Sequence, residues 1–198
     1  GDLLSPASLQ GFLEPGCIVV NLVYLWNAGE DANMAAMRNL VTQCKVATIS
    51  RLVHVSTAAV TGRARTNLVD EATACMPTSE YGITKLKVEA FLREESRGAF
   101  DLVMLRPTAV FGPGAEPLTK LVKDLLAARR IRNYLKSSLF GRRRMNLVHI
   151  VNVVEALIFL ANHHGNFCGD VFIVSDDASD ANNFREVEFA LISGLGVS

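Results

Sequence analysis

Short runs of apolar residues recur along this chain without polar alternation, and longer segments with helical spacing separate them. Cys17 to Val23 (CIVVNLV), Leu52 to Ser56 (LVHVS), Leu102 to Arg106 (LVMLR) and Val171 to Val174 (VFIV) read as buried strands. Glu30 to Cys44 carries Met34, Met37, Leu40 and Val41 at the spacing of one helix face. Ser79 opens a second helix that runs to Arg97, Asn152 to His163 forms a third with a broad apolar face, and Asn183 to Leu195 a fourth. Continuous apolar strands alternating with helices predict an α/β fold, with a parallel sheet covered on both faces and doubly wound by its crossovers. Gly112 to Arg144 breaks the alternation and is the expected inserted lobe. The expected division is a core of 1–112 with 145–177, and a small lobe of 113–144 with 178–198.

Composition narrows this picture. The chain has 198 residues, 49% of them hydrophobic and 20% charged, enough for a sizeable core and unlike a disordered segment. Lys+Arg and Asp+Glu both number 20, so the formal charge is zero, which argues against a chain-wide nucleic-acid surface. No uncharged apolar stretch reaches the length of about 18 residues that a membrane span needs, and no basic-then-apolar leader opens the chain. Cys17, Cys44, Cys75 and Cys168 form no C-x-x-C pair and are expected as reduced thiols of a cytoplasmic protein. His54 and His149 lie inside strands and are expected as packed residues, while His163 and His164 end a helix, where a cation suits the dipole. No metal-ligand spacing occurs, so no metal is expected.

The sharpest local feature is Tyr81-Gly-Ile-Thr-Lys85. Positions i and i+4 of a helix share a face, about 5–6 Å apart at Cβ. Lys85 beside the Tyr81 phenol would favour phenolate and make Tyr81 a general acid/base at neutral pH. Alone, the pattern recurs by chance and is better explained by a solvated helix face. About twenty residues upstream, a strand ends in His54-Val-Ser-Thr57-Ala-Ala-Val-Thr-Gly62. Hydroxyls at the carboxyl end of a parallel strand face the ligand crevice. Ser56 and Thr57 could also simply cap the strand end.

Together, the S-T-A-A-V-x-G strand end, Y-x-x-x-K and Leu105-Arg-Pro-Thr-Ala-Val-Phe-Gly-Pro-Gly114 resemble the extended short-chain dehydrogenase/reductases. These are the NAD-dependent epimerases and dehydratases of nucleotide sugars. The resemblance runs from Gly1 to Asp177. It implies a Rossmann-like core with a small substrate-binding lobe and an NAD or NADP cofactor. It also implies Thr57, Tyr81 and Lys85 as the catalytic group. Cofactor contacts are implied at Asp2, Leu3, Leu22, Val23, Tyr24, Ser56, Pro107 and Thr108, besides Tyr81 and Lys85. Val23 and Tyr24 replace the small residues usual in that turn. Asn33 matches the asparagine opening the next helix, and Asn146 to Asn152 resembles a later strand and turn, with Asn152 where the family usually has Asp.

The family's opening strand, glycine-rich G-x-x-G-x-x-G turn and helix have no counterpart here, so the N-terminal βαβ unit is expected to be missing and NAD binding by this segment alone to be poor. After Thr57 the dehydratases carry Asp-Glu; here Ala58 and Ala59 carry no exchangeable proton, which disfavours 4,6-dehydration. Decarboxylation and enolising epimerisation are disfavoured for the same reason. What is left is a nucleotide-sugar 4-epimerase, a ketoreductase or dehydrogenase of another small carbonyl substrate, or a non-catalytic dinucleotide-sensing regulator on the same fold. Arg129 to Arg144 holds seven basic and no acidic residues. Its Arg142 and Arg144, with Thr57 and Ala58, are the candidate substrate contacts, since Arg matches diphosphate oxygens in a fork. In the family that arginine falls at Met145. Relatives pair through two helices, which would be 30–44 and 79–97 of a homodimer.

Overall fold

The computed structural model of this chain describes residues 1–64, 68–113 and 144–194. Strands β1 (Ile18–Asn21), β2 (Arg51–Val55) and β3 (Asp101–Pro107) pair in parallel, and β6 (Asp170–Val174) completes a sheet of order β1-β2-β3-β6. Helices α1 (Gly29–Val46) and α2 (Glu80–Glu95) follow β1 and β2. A second, two-stranded parallel sheet joins β4 (Ala109–Phe111) to β5 (Leu147–His149). Helices α3 (Ile150–Asn162) and α4 (Phe184–Gly194) complete the described elements. By internal contacts the chain divides into two compact units: Gly1–Pro107 with Glu155–Ile173, and Thr108–Val154 with Val174–Ser198.

In the first unit, one face of the sheet is sealed by both helices. Ala36, Met37, Leu40, Val41 and Cys44 of α1 and Val88 and Leu92 of α2 bury against Leu52, Leu102 and Met104. Val53, Val103 and Leu105, alternating with these, are buried on the opposite face. That is why β2 and β3 read as unbroken apolar runs. Each element ends for a local reason. Strand β1 stops at Asn21 rather than continuing to Val23, because the Asn21 Oδ1 accepts the Val23 N–H at 3.0 Å and turns the chain. Ser79 lies outside α2 as its cap, its Oγ accepting the Gly82 N–H at 3.1 Å. Asn183 likewise caps α4 by accepting the Glu186 N–H at 3.0 Å. Two short 3-10 turns, Pro6–Leu9 and Ala58–Val60, carry no periodic signal in the sequence.

Two buried polar groups organise the first unit. Arg51 donates through Nε to Asp101 at 2.7 Å and through Nη1 to the carbonyls of Leu160 and His163 at 2.8 and 2.9 Å, so it caps the end of α3. A further bond from Nη2 reaches Gly165. Asp101 in turn accepts the Phe167 and Cys168 N–H groups. The other group is the pair of Glu89 with Arg106, considered below.

Candidate active site

Three chain segments meet at the carboxyl edge of the parallel strands in the first unit. Thr57 follows β2, Tyr81 and Lys85 lie on the first turns of α2, and Tyr24 lies on the turn after β1. Two glycines permit this approach. A Cβ at Gly82 would lie 2.9 Å from the Ala59 carbonyl oxygen, so glycine lets the start of α2 close on the turn after Thr57. A Cβ at Gly62 would lie 1.8 Å from the Met76 carbonyl oxygen, and Gly62 has a φ of +58°. Gly62 and Met76 bridge there and clip the base of the loop that leads into α2.

Thr57 is held in place by accepting the Ala59 N–H at 3.2 Å, and its hydroxyl is close enough to Tyr81 to favour the phenolate. The Lys85 Nζ, buried at 3% exposure, donates to the Val55 carbonyl at 2.9 Å. The same ammonium stands 5.4 Å from the centroid of the Tyr24 ring. Tyr24 meets the Tyr81 ring edge-on at 4.8 Å, and Trp26 stacks on Tyr81 at 5.1 Å with 16° between planes. Asparagines pin both ends of this aromatic turn. Asn21 holds Val23, and the buried Asn33 accepts the Leu25 N–H while donating to the carbonyls of Leu25 and Gly29.

The electrostatics differ from the simple expectation of an acidified phenol. Burial pushes the Tyr81 hydroxyl up from its ordinary value, Thr57 acts to lower it and Tyr24 to raise it. The Lys85 ammonium is turned onto the Val55 carbonyl and the Tyr24 ring. Burial instead pulls Lys85 itself down to about 8, against the opposing field of Glu89. In this state Tyr81 is a phenol, a proton donor.

The remaining expected residues fall as follows. Leu22 and Val23 are exposed on the turn beside Tyr24, and Ser56 is buried behind Thr57. Asp2 is exposed and accepts the Leu4 N–H at 2.9 Å, while the Leu3 carbonyl accepts from Asn39 at 2.8 Å. Pro107 closes β3, and Ala58 lies partly buried in the turn after Thr57. Thr108 belongs to the second unit, where its N–H donates to Val174 at 3.0 Å. Arg144 is also there, exposed, bridging Asn183 and donating to the Asp177 carbonyl beside an open polar depression with Arg185. Arg142, the rest of the arginine run before Arg144 and Leu195 lie outside the described residues. Sequence reasoning missed Trp26, Asn21 and the Glu89–Arg106 pair. The available signals were a lone tryptophan two residues after Tyr24 and a glutamate one helical turn after Lys85. Among the described residues no group of three or more His, Cys, Asp or Glu side chains could hold a metal ion, and no helix is long and apolar enough to cross a membrane.

Comparison with known proteins places the chain in a family. The chain is 29% identical over 170 residues to UDP-glucose 4-epimerase of Vibrio cholerae, covering 81% of this chain and 49% of that protein. It is 27% identical over 150 residues to the 4-hydroxy-2-methyl-3-oxo-4-farnesyl-3,4-dihydroquinoline-1-oxide ketoreductase of Stigmatella aurantiaca, covering 74% of this chain and 43% of that protein. The chain thus spans about half the length of these curated relatives. Among solved structures, a double mutant of the dTDP-glucose 4,6-dehydratase DesIV of Streptomyces venezuelae, with NAD bound, superposes with a TM-score of 0.77 at 19% identity, over 100% of this chain and 63% of that one. At this identity the likeness establishes the Rossmann-like α/β fold. The model of the NAD dependent epimerase/dehydratase family matches residues 1–174, and the chain belongs to that family.

Proposed function

We propose that this chain carries the reaction centre of an NAD(P)-dependent enzyme acting on a nucleotide-linked sugar, as a 4-epimerase. The observation that supports it is the convergence of the Thr57 hydroxyl, the Tyr81 phenol and the buried Lys85 ammonium on one edge of the sheet. The residues fit the nicotinamide half of the cofactor. Lys85 uses one hydrogen bond on Val55 and keeps two donors for ribose hydroxyls. When bound, NAD(P) supplies or accepts the hydride.

Tyr81 moves the proton. As a phenol it protonates a carbonyl oxygen, and in the reverse direction it takes the hydroxyl proton, a step that Thr57 assists by hydrogen-bonding the phenolate. Thr57 also orients the reacting oxygen. Ala58 and Ala59 offer no second acid or base, which argues against dehydration. Arg144, with Arg142, is the proposed diphosphate contact, and Asp2, Leu3, Leu22, Val23, Tyr24, Ser56, Pro107 and Thr108 the proposed cofactor contacts. The proposed assembly is a homodimer through α1 and α2, in the cytoplasm, where the free thiols stay reduced; equilibrium sedimentation checks the dimer.

Tyr81→Phe should lower turnover of the responsive sugar, in a screen of UDP-, dTDP- and GDP-sugars, by about 10²–10⁴-fold. A near-normal rate in that variant would defeat the assignment. A second reading, reduction of another small carbonyl compound, is favoured by the aromatic wall of Tyr24 and Trp26. It predicts turnover of an apolar ketone and none of the sugars.

A further inference from the structure

Three charged groups are buried together beneath α2, and the proposed reaction uses only Lys85 among them. Lys85 is 3% exposed, Glu89 1% and Arg106 4%. A buried charge persists where an opposite charge and hydrogen bonds hold it. Glu89 and Arg106 hold each other at two points, Nε to Oε1 at 3.0 Å and Nη2 to Oε2 at 2.6 Å. Among the described residues Lys85 has no such contact: its hydrogen bond goes to the neutral Val55 carbonyl. Glu89 lies four residues beyond Lys85 on the same helix face, as Lys85 lies four beyond Tyr81.

We propose that Glu89, locked in place by Arg106, is a positioning residue that keeps the Lys85 ammonium charged and seated inside the fold. The inference rests on the function proposed above, in which the Lys85 ammonium holds the cofactor ribose. Arg106 holds both carboxylate oxygens of Glu89, which fixes this acidic side chain one helical turn from Lys85. The other titratable groups around Lys85 are Tyr81, His54, Tyr24 and Cys75. Tyr81 on its own helix is held as a phenol by burial, and His54 on β2 is held neutral. Tyr24 presents its ring face, and Cys75 lies against Arg106 rather than Lys85. Burial pulls Lys85 down to about 8 even with Glu89 opposing it, so the margin for a cation at neutral pH is narrow.

Glu89→Gln keeps the side-chain shape and removes the charge. Lys85 should then titrate about one pH unit or more lower, and the pH dependence of turnover should shift down with it. Because this variant strands the Arg106 charge, Glu89→Gln with Arg106→Met is made alongside it, replacing the pair by neutral groups. The direct readout is NMR titration of the Lys85 side chain, assigned with Lys85→Arg, which needs no substrate. A lowered Lys85 midpoint in the folded variants supports the inference. An unmoved midpoint, with or without a loss of stability, overturns it and reduces the pair to a structural role. Failure of Tyr81→Phe to slow turnover, with the Lys85 midpoint still lowered by Glu89→Gln, would reject the proposed function and leave the electrostatic coupling standing.

Discussion

Mild acid should destabilise this fold through His54. The imidazole is fully buried on β2, and its Nδ1 lies 3.0 Å from the Asn21 amide nitrogen. An amide nitrogen only donates, so Nδ1 accepts and the ring proton sits on Nε2. Protonating Nδ1 would break that bond and place a cation in the core near Lys85. Burial first, and the Lys85 charge second, lower the His54 pKa from 6.5 to about 3. Between those values the unfolded chain binds a proton that the folded chain refuses, so stability falls as pH falls below 6.5. From pH 7 to pH 5 the linkage amounts to about 2 kcal/mol, since the unfolded state gains a factor of about 25 in its binding polynomial. Lys85 stays charged across that window and contributes no slope. With a urea m-value of about 2 kcal/mol/M, the unfolding midpoint should drop by about 1 M. His54→Gln removes the titration, so the difference between the two proteins isolates this one group whatever the variant's absolute stability. Parallel stability-versus-pH curves for the two would refute the reasoning.

Other outcomes follow from single contacts. Gly62→Ala should lose more than about 3 kcal/mol in urea unfolding, because the new Cβ meets the Met76 carbonyl in a backbone region that L-residues avoid. Arg51→Met should cost about 3–5 kcal/mol, read as a lowered Tm, because it leaves Asp101 and the last carbonyls of α3 buried without their donor. Trp26 is the sole tryptophan, 69% exposed and stacked on Tyr81. Its near-UV circular dichroism should therefore collapse in Tyr81→Ala while the far-UV spectrum holds; an unchanged near-UV band would mean the rings do not stack in solution.

Much of the architecture was legible in the residue pattern because burial on both sides of a parallel strand leaves a short, unbroken apolar run. LVHVS and LVMLR read as inner strands on that ground, and Met34, Met37, Leu40 and Val41 marked the inner face of α1, with Met34 only partly buried at its edge. Helix spacing carries Tyr81 and Lys85 to one face and the end of β2 brings Thr57 to the sheet's edge, but only the family resemblance joins the three into a proposed group. Boundaries were less legible, since Asn21, Ser79 and Asn183 end or cap their elements by single side-chain hydrogen bonds that alter no periodicity.

The charge state of the site was decided by tertiary structure. Spacing along a helix says that Lys85 is near Tyr81, but not where its ammonium points. In the folded chain it turns to Val55 and Tyr24, and burial then governs both groups. The same holds for Arg106, which lies on β3, 17 residues beyond Glu89 in sequence yet bonded to it at two points. Periodicity reports the faces of an element, because hydrophobic burial is repeated along it. Electrostatics depends on what other elements bring to those faces, and that is settled only when the chain has folded.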